Sequence, residues 1–165
     1  MNALTTKALS YAIVVALWAV VSHLGKLPLQ LWPVIVGLAA FVGAGSGTAA
    51  LQKSILGTAS GVAWAMLYVA VTGALGRQDV VDALVMGAAF FGIVFQARFP
   101  LLSYTAGAIA GAATAIGVMG LRVMTLNGGI RVAAALAIGC VLGIVAERVG
   151  EMLGRARFVP AMSNR

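Results

Sequence analysis

Six apolar stretches fill almost the whole of this chain: Ala8 to Leu24, Leu31 to Leu51, Ile55 to Leu75, Val80 to Gln96, Leu101 to Leu121 and Ile130 to Ala146. Each approaches the roughly 20 residues that a helix needs to cross a ~30 Å hydrocarbon layer. Inside that layer no water satisfies the backbone, so only helices or closed barrels cross it. Barrel strands alternate apolar and polar residues over about ten positions, whereas these stretches are longer and apolar on every face. The expected fold is an all-α membrane protein, a bundle of six transmembrane helices. With 9% charged residues and a mean hydropathy of +1.05 over 165 residues, nothing is left over for a second domain. Residues 1–150 read as one transmembrane domain of six helices, and residues 151–165 as a short basic cytoplasmic tail.

The expected connections are Gly25 to Gln30, Gln52 to Ser54, Gly76 to Asp79, Ala97 to Pro100 and Arg122 to Gly129. Loops this short force neighbouring helices to run antiparallel. Pro28 and Pro33 flank the entry to the second span, Pro100 precedes the fifth and Pro160 lies in the tail, so no proline kink is expected. Glu151 and Arg155, four apart, extend the last helix beyond the membrane as an interfacial anchor. Lys7 ahead of an apolar run resembles the start of a signal peptide. No small-residue cleavage site follows at Val21-Ser22-His23-Leu24, so the first helix is expected to stay.

Eleven Lys and Arg against four Asp and Glu would suggest an acidic partner in a soluble domain. Here the cations are strung one or two at a time between spans, without the basic patch that nucleic-acid binding requires. They read as topology signals. Lys7, Lys53, Arg98, Arg148, Arg155, Arg157 and Arg165 fall on one side, and Lys26, Arg77, Arg122 and Arg131 on the other. Seven against four places both termini in the cytoplasm. The lone Cys140 allows no intramolecular disulfide.

Glycines recur in register. Gly43 with Gly47, Gly57 with Gly61, Gly107 with Gly111 and Gly139 with Gly143 form small-xxx-small pairs, which let two backbones approach closely. Such faces close the bundle internally or join copies of the chain, and both readings stand. Gly43, Gly45, Ser46, Gly47 and Thr48 form a denser cluster, in which each glycine lowers helix propensity by about 1 kcal/mol. Either a packing face or a local break lining a solute path follows. The two halves, spans one to three and four to six, fit a 3+3 inverted repeat, with a glycine-rich span in the middle place of each.

On the third span, Ser60, Trp64, Tyr68 and Thr72 recur every four residues and make one weakly polar stripe. It is the best pore-lining candidate, with Gln96 closing the fourth span. Trp64 lies mid-span, away from the interfacial belt, and its indole N–H needs a partner there. A hydrogen bond between helices explains the residue equally well. Asp82 suits the first turn of its helix and Lys53 suits a snorkelling position at a turn. No metal-spaced cluster, no H-E-x-x-H, no G-x-S-x-G and no carboxylate pair at helical spacing within a span occurs, so neither an enzyme, a cofactor nor a metal is expected.

Two runs carry a resemblance. Gly43-Ala44-Gly45-Ser46-Gly47-Thr48-Ala49-Ala50-Leu51-Gln52-Lys53-Ser54, continuing from Gly57 to Gly61-Val62-Ala63-Trp64-Ala65-Met66, is one. Phe95-Gln96-Ala97-Arg98 with Leu102-Ser103-Tyr104, Gly107 and Gly111 is the other. Together they resemble the bacterial inner-membrane proteins of domain-of-unknown-function family 1097, over about Leu31 to Gly150. The resemblance implies a small multi-pass inner-membrane protein and transfers no activity.

The expected function is a channel or facilitator for a small, mostly neutral solute of the urea, amide or ammonia kind, working as a homo-oligomer in the lipid bilayer. Its pore is expected to place the Gly43 to Thr48 backbone opposite Trp64. Charged solutes would need buried ionisable groups, which the spans hardly offer. The alternative is a membrane scaffold or regulatory partner protein that transports nothing.

Overall fold

The computed structural model describes residues 3–25, 31–120 and 125–155, and these are helical with no strand among them. The elements are α1 (Ala3–Leu24), α2 (Leu31–Ala44), α3 (Gly47–Ala74), α4 (Asp79–Phe95), α5 (Thr105–Met119) and α6 (Leu126–Arg155). Two single 3-10 turns, Gln96–Arg98 and Pro100–Leu102, follow α4. By length and composition, four helices can cross a membrane: Leu4–Leu24, Gly47–Ala74, Asp79–Arg98 and Leu126–Gly154. The other two, α2 and α5, are apolar but shorter. Expectations for Lys26, Pro28, Arg122, Pro160 and the tail beyond Arg155 fall outside the described residues.

The second and third helices divide at a different place from the expected turn at Gln52 to Ser54. Helix α2 stops at Ala44 and α3 begins at Gly47, so Lys53 sits inside a continuous helix. The cause is backbone conformation. Gly45 has φ +118 and Gly47 φ +74, values that side chains other than glycine rarely tolerate. Gln52 and Lys53 are good helix formers despite their polarity. The expected fifth span also starts too early. Phe99 is held extended (φ −89, ψ 124) ahead of Pro100, which disfavours α-helix at the preceding residue, and the chain resumes as α-helix at Thr105. Helix α6 outruns its expected span at both ends, from Leu126 to Arg155.

Two close crossings hold the centre. In the first, α2 meets α6: a Cβ on Gly37 would strike the Leu136 carbonyl, and one on Gly139 would strike the Val34 carbonyl and the Leu38 nitrogen. In the second, α5 meets α3: a Cβ on Gly111 would strike the Thr58 carbonyl, and one on Gly61 the Ala108 carbonyl and the Ala112 nitrogen. These contacts correspond one to one. The spacing from Val34, Gly37 and Leu38 to Ala108, Gly111 and Ala112 is constant, and so is that from Thr58 and Gly61 to Leu136 and Gly139. Exposure follows the same match: Ile35 and Ile109 face outward, as do Ala39 and Ala113, Ala63 and Val141, and Lys53 and Arg131.

The ends of the short helices are pinned in the same crossed manner. Gly43 near the end of α2 lies under the Tyr104 hydroxyl at the start of α5, and Gly117 near the end of α5 lies under the Trp32 ring at the start of α2. Helices α2 and α5 therefore run antiparallel. So do α3 and α6, since Gly47 bonds Glu147 while Met66 packs on Gly129. Helices α1 and α4 lie outside this four-helix centre, α1 chiefly on α6 and α4 chiefly on α3. Each buries two residues four apart, Ser10 and Val14 on α1 and Ala89 and Ile93 on α4, and exposes most of its apolar surface. Val62, Ala65, Ile93, Ala108, Ala112 and Leu136 fill the main core.

Candidate functional site

Most buried hydroxyls in this bundle bond within their own helix. Ser10, Ser54, Thr58, Thr72 and Thr114 each donate to a carbonyl three or four residues back. That satisfies each hydroxyl hydrogen within its own helix. Cys140, fully buried, donates its thiol hydrogen across to the Gly37 carbonyl at 3.2 Å.

Side-chain polarity crosses between helices at the middle of α3. Trp64 Nε1–H donates to Gln96 Oε1 at 3.0 Å, Gln96 Nε2 donates to Ser60 Oγ at 3.0 Å, and Ser60 donates to the Gly57 carbonyl at 2.7 Å. Helical geometry brings Ser60 and Trp64 onto one face a turn apart. The antiparallel α4 delivers Gln96 at its C-terminal end, where the helix gives way to the 3-10 turns. Gly92 makes room: a Cβ there would strike the Trp64 ring. Gln96 is 8% exposed. Beside the three side chains is a groove of about 210 Å³, completed by Ala63 and Leu67 and opening on the outer side of the bundle.

The stripe thus faces α4. Ser60 and Trp64 border the groove, whereas Tyr68 is buried with Val69 and Ala89, and Thr72 is closed in with its hydroxyl on Val69. The expected placement of the Gly43 to Thr48 backbone opposite Trp64 is not found. Gly43 meets Tyr104, while Gly45, Ser46 and Gly47 form the α2–α3 turn at one end of the bundle, because that is where the positive-φ glycines reverse the chain. Thr48 is exposed in the first turn of α3. Of the packing glycines, Gly61, Gly111 and Gly139 meet backbone, Gly143 meets the Phe41 ring, and Gly57 and Gly107 meet Tyr104.

Three features escaped the sequence reading. Glu147 Oε2 accepts the Gly47 N–H at 2.9 Å and so caps α3 from α6. Its residue type at the edge of an apolar run gave no sign of a partner 100 residues away. Arg98, an exposed residue, lies over the Phe95 ring, 4.2 Å from its centroid, in a cation–π contact. A cleft lined by Lys7, Glu147, Arg148 and Glu151 opens at the same end of the bundle as the α2–α3 turn. Among the described residues, no three His, Cys, Asp or Glu side chains come together as a metal site.

The positions that match the groove in the other half lack its polarity. By the spacing that pairs Gly61 with Gly139, Ser60 and Trp64 correspond to Ile138 and Leu142. By the spacing that pairs Ala89 and Ile93 with Ser10 and Val14, Gln96 corresponds to Leu17. At these three positions the other half holds apolar residues alone.

Comparison with known proteins finds one family, described as "Protein of unknown function (DUF1097)", whose pattern matches residues 8–151. No curated protein and no solved structure matches.

Proposed function

The chain belongs to the DUF1097 family of proteins of unknown function, and on that footing we propose a six-pass protein of the bacterial inner membrane with both termini cytoplasmic. In this reading its three-helix halves form an inverted repeat, and it passes a small, mostly neutral solute without catalysis. The matched glycine crossings support the repeat, because an odd number of helices per half reverses the second copy in the membrane. A reporter fused to the C-terminus should be active only in the cytoplasm, and a periplasmic signal would overturn the six-pass count.

The observation that carries transport is the Ser60–Trp64–Gln96 chain beside its groove. The matched positions Ile138, Leu142 and Leu17 support a role beyond folding. Gln96 retains a second amide hydrogen and a second oxygen lone pair, which suit urea or a simple amide. The groove opens sideways beside exposed Ala63 and Leu67, so a second copy of the chain is assigned the task of closing it from lipid. Urea flux into proteoliposomes tests this. Wild-type protein should carry urea, and Gln96→Leu should lower the flux about ten-fold while remaining folded. Absence of wild-type flux for urea, acetamide and methylamine would overturn it.

A second reading, a non-transporting scaffold, is favoured by the close-packed four-helix centre, where helix backbones meet at Gly61 and Gly139.

A further inference from the structure

We propose that the charged cleft at the α2–α3 end of the bundle binds phosphoethanolamine, a primary ammonium and a phosphate on a two-carbon linker. The inference is independent of the solute groove. The cleft has a volume of about 660 Å³ and is walled by Lys7 and Ser10 from α1, Ser46 from the turn, and Glu147, Arg148 and Glu151 from α6. Two carboxylates and two cations thus border one space, and among the described residues no ion pair joins them. A neutral ligand with both signs of charge complements such a wall, whereas a simple anion meets the carboxylates and a simple cation meets Lys7 and Arg148.

The lining chooses between headgroups. Carboxylates and hydroxyl oxygens accept hydrogen bonds from a primary ammonium. A quaternary ammonium prefers aromatic faces, and no aromatic residue lines this cleft among the described residues. Lys7 and Arg148 supply the donors that a phosphate takes, arginine in bidentate form. Glu147 is already fixed by Oε2 on Gly47, which leaves Oε1 for a ligand at no extra cost in ordering.

The fold does not require these charges. The positions in the other half that match Lys7, Ser10, Glu147, Arg148 and Glu151 hold Met86, Ala89, Val69, Ala70 and Gly73. Helix α4 packs on α3 there as α1 packs on α6, with apolar or small residues in place of the ionisable ones. The cleft also lies where α6 runs past its apolar stretch, the level at which lipid headgroups meet basic side chains.

Native mass spectrometry of the delipidated full chain, with one lipid added at a time, tests the site. Phosphatidylethanolamine should be retained about five-fold more than phosphatidylglycerol or phosphatidylcholine. Arg148→Gln and Glu151→Gln, both at exposed positions, should each remove that preference without changing helicity by circular dichroism. Thermal stabilisation by soluble O-phosphoethanolamine, without a lipid preference, would assign the same chemistry to a free ligand. Equal retention of phosphatidylglycerol with no effect of O-phosphoethanolamine, or a preference unchanged in both variants, would overturn the proposal.

Discussion

Where α4 lies along α3, a tryptophan, a glutamine and a serine join hands across the interface. Where α1 lies along α6, the matched positions hold the apolar residues Leu142, Leu17 and Ile138, and Leu17 is 60% exposed. The two helix pairs match in register but differ in what they carry at these positions. Hydrogen bonds between membrane helices contribute on average only about 0.6 kcal/mol each, so stability alone gives little reason for one side to adopt three polar groups. The backbone differs as well. Helix α1 continues unbroken to Leu24, whereas α4 ends at Phe95 and unwinds into 3-10 turns ahead of Pro100. At this level of the bundle polarity and irregular backbone coincide in the α3–α4 pair, and that coincidence points to the α3–α4 groove rather than to the common frame.

The frame itself is where the largest effect is expected. Gly61→Leu and Gly139→Leu should each prevent recovery of folded protein on size-exclusion chromatography. A side chain there must displace backbone, at or beyond the upper end of the roughly 1–3 kcal/mol that overpacking costs. If the crossings are equivalent, the two variants fail alike, and a marked difference between them breaks the comparison. Gly87→Leu is the control, since nothing lies within 4 Å of a Cβ at that position.

The next effect separates the two helix pairs. Gln96→Leu leaves the Trp64 indole N–H without its partner in the interface, at a cost of about 1–2 kcal/mol, and its tryptophan emission should shift to the blue. Leu17→Ala at the matched position on α1 should leave that emission unchanged. Equal shifts would mean that the polar chain does not define the Trp64 environment.

A smaller effect is expected at the α2–α3 turn. Glu147→Ala removes the acceptor on Gly47, worth about 1 kcal/mol for a helix cap, and should speed hydrogen exchange of the first-turn amides of α3 without changing the rest of that helix. Cys140→Ala is expected to be the mildest. It removes one weak thiol hydrogen bond, and native wild-type protein should resist maleimide until denatured because the thiol is fully buried.

Much of the frame was legible because hydrophobic runs are long-range averages that survive local error. Six apolar elements were found in order, and Asp79 and Asp82 stand in the first turn of α4 as the helix dipole favours. The α2–α3 boundary was misplaced because polarity at Gln52 and Lys53 imitates a turn, while the actual turn is made by glycines that also look like packing glycines. In the groove, Trp64 was known to need a partner and Gln96 was singled out separately. What joined them was register. A short connection after α3 makes α4 run back along it, so a residue near the end of α4 returns to the middle of α3. The capping role of Glu147 carried no such signal, since it depends on the C-terminal part of α6 meeting a turn 100 residues earlier.

The glycine crossings also decide which parts of the molecule are free to move. Helices α2, α3, α5 and α6 touch backbone to backbone, so neither member of a crossing can rotate about its axis without driving a side chain into a carbonyl. Helices α1 and α4 rest against these four through few buried residues, and small sliding of packed helices is the shear type of motion. Helix α4 is tied to α3 by the Gln96 bonds as well, and the 3-10 turns Gln96–Arg98 and Pro100–Leu102 at its end can take up a change in length.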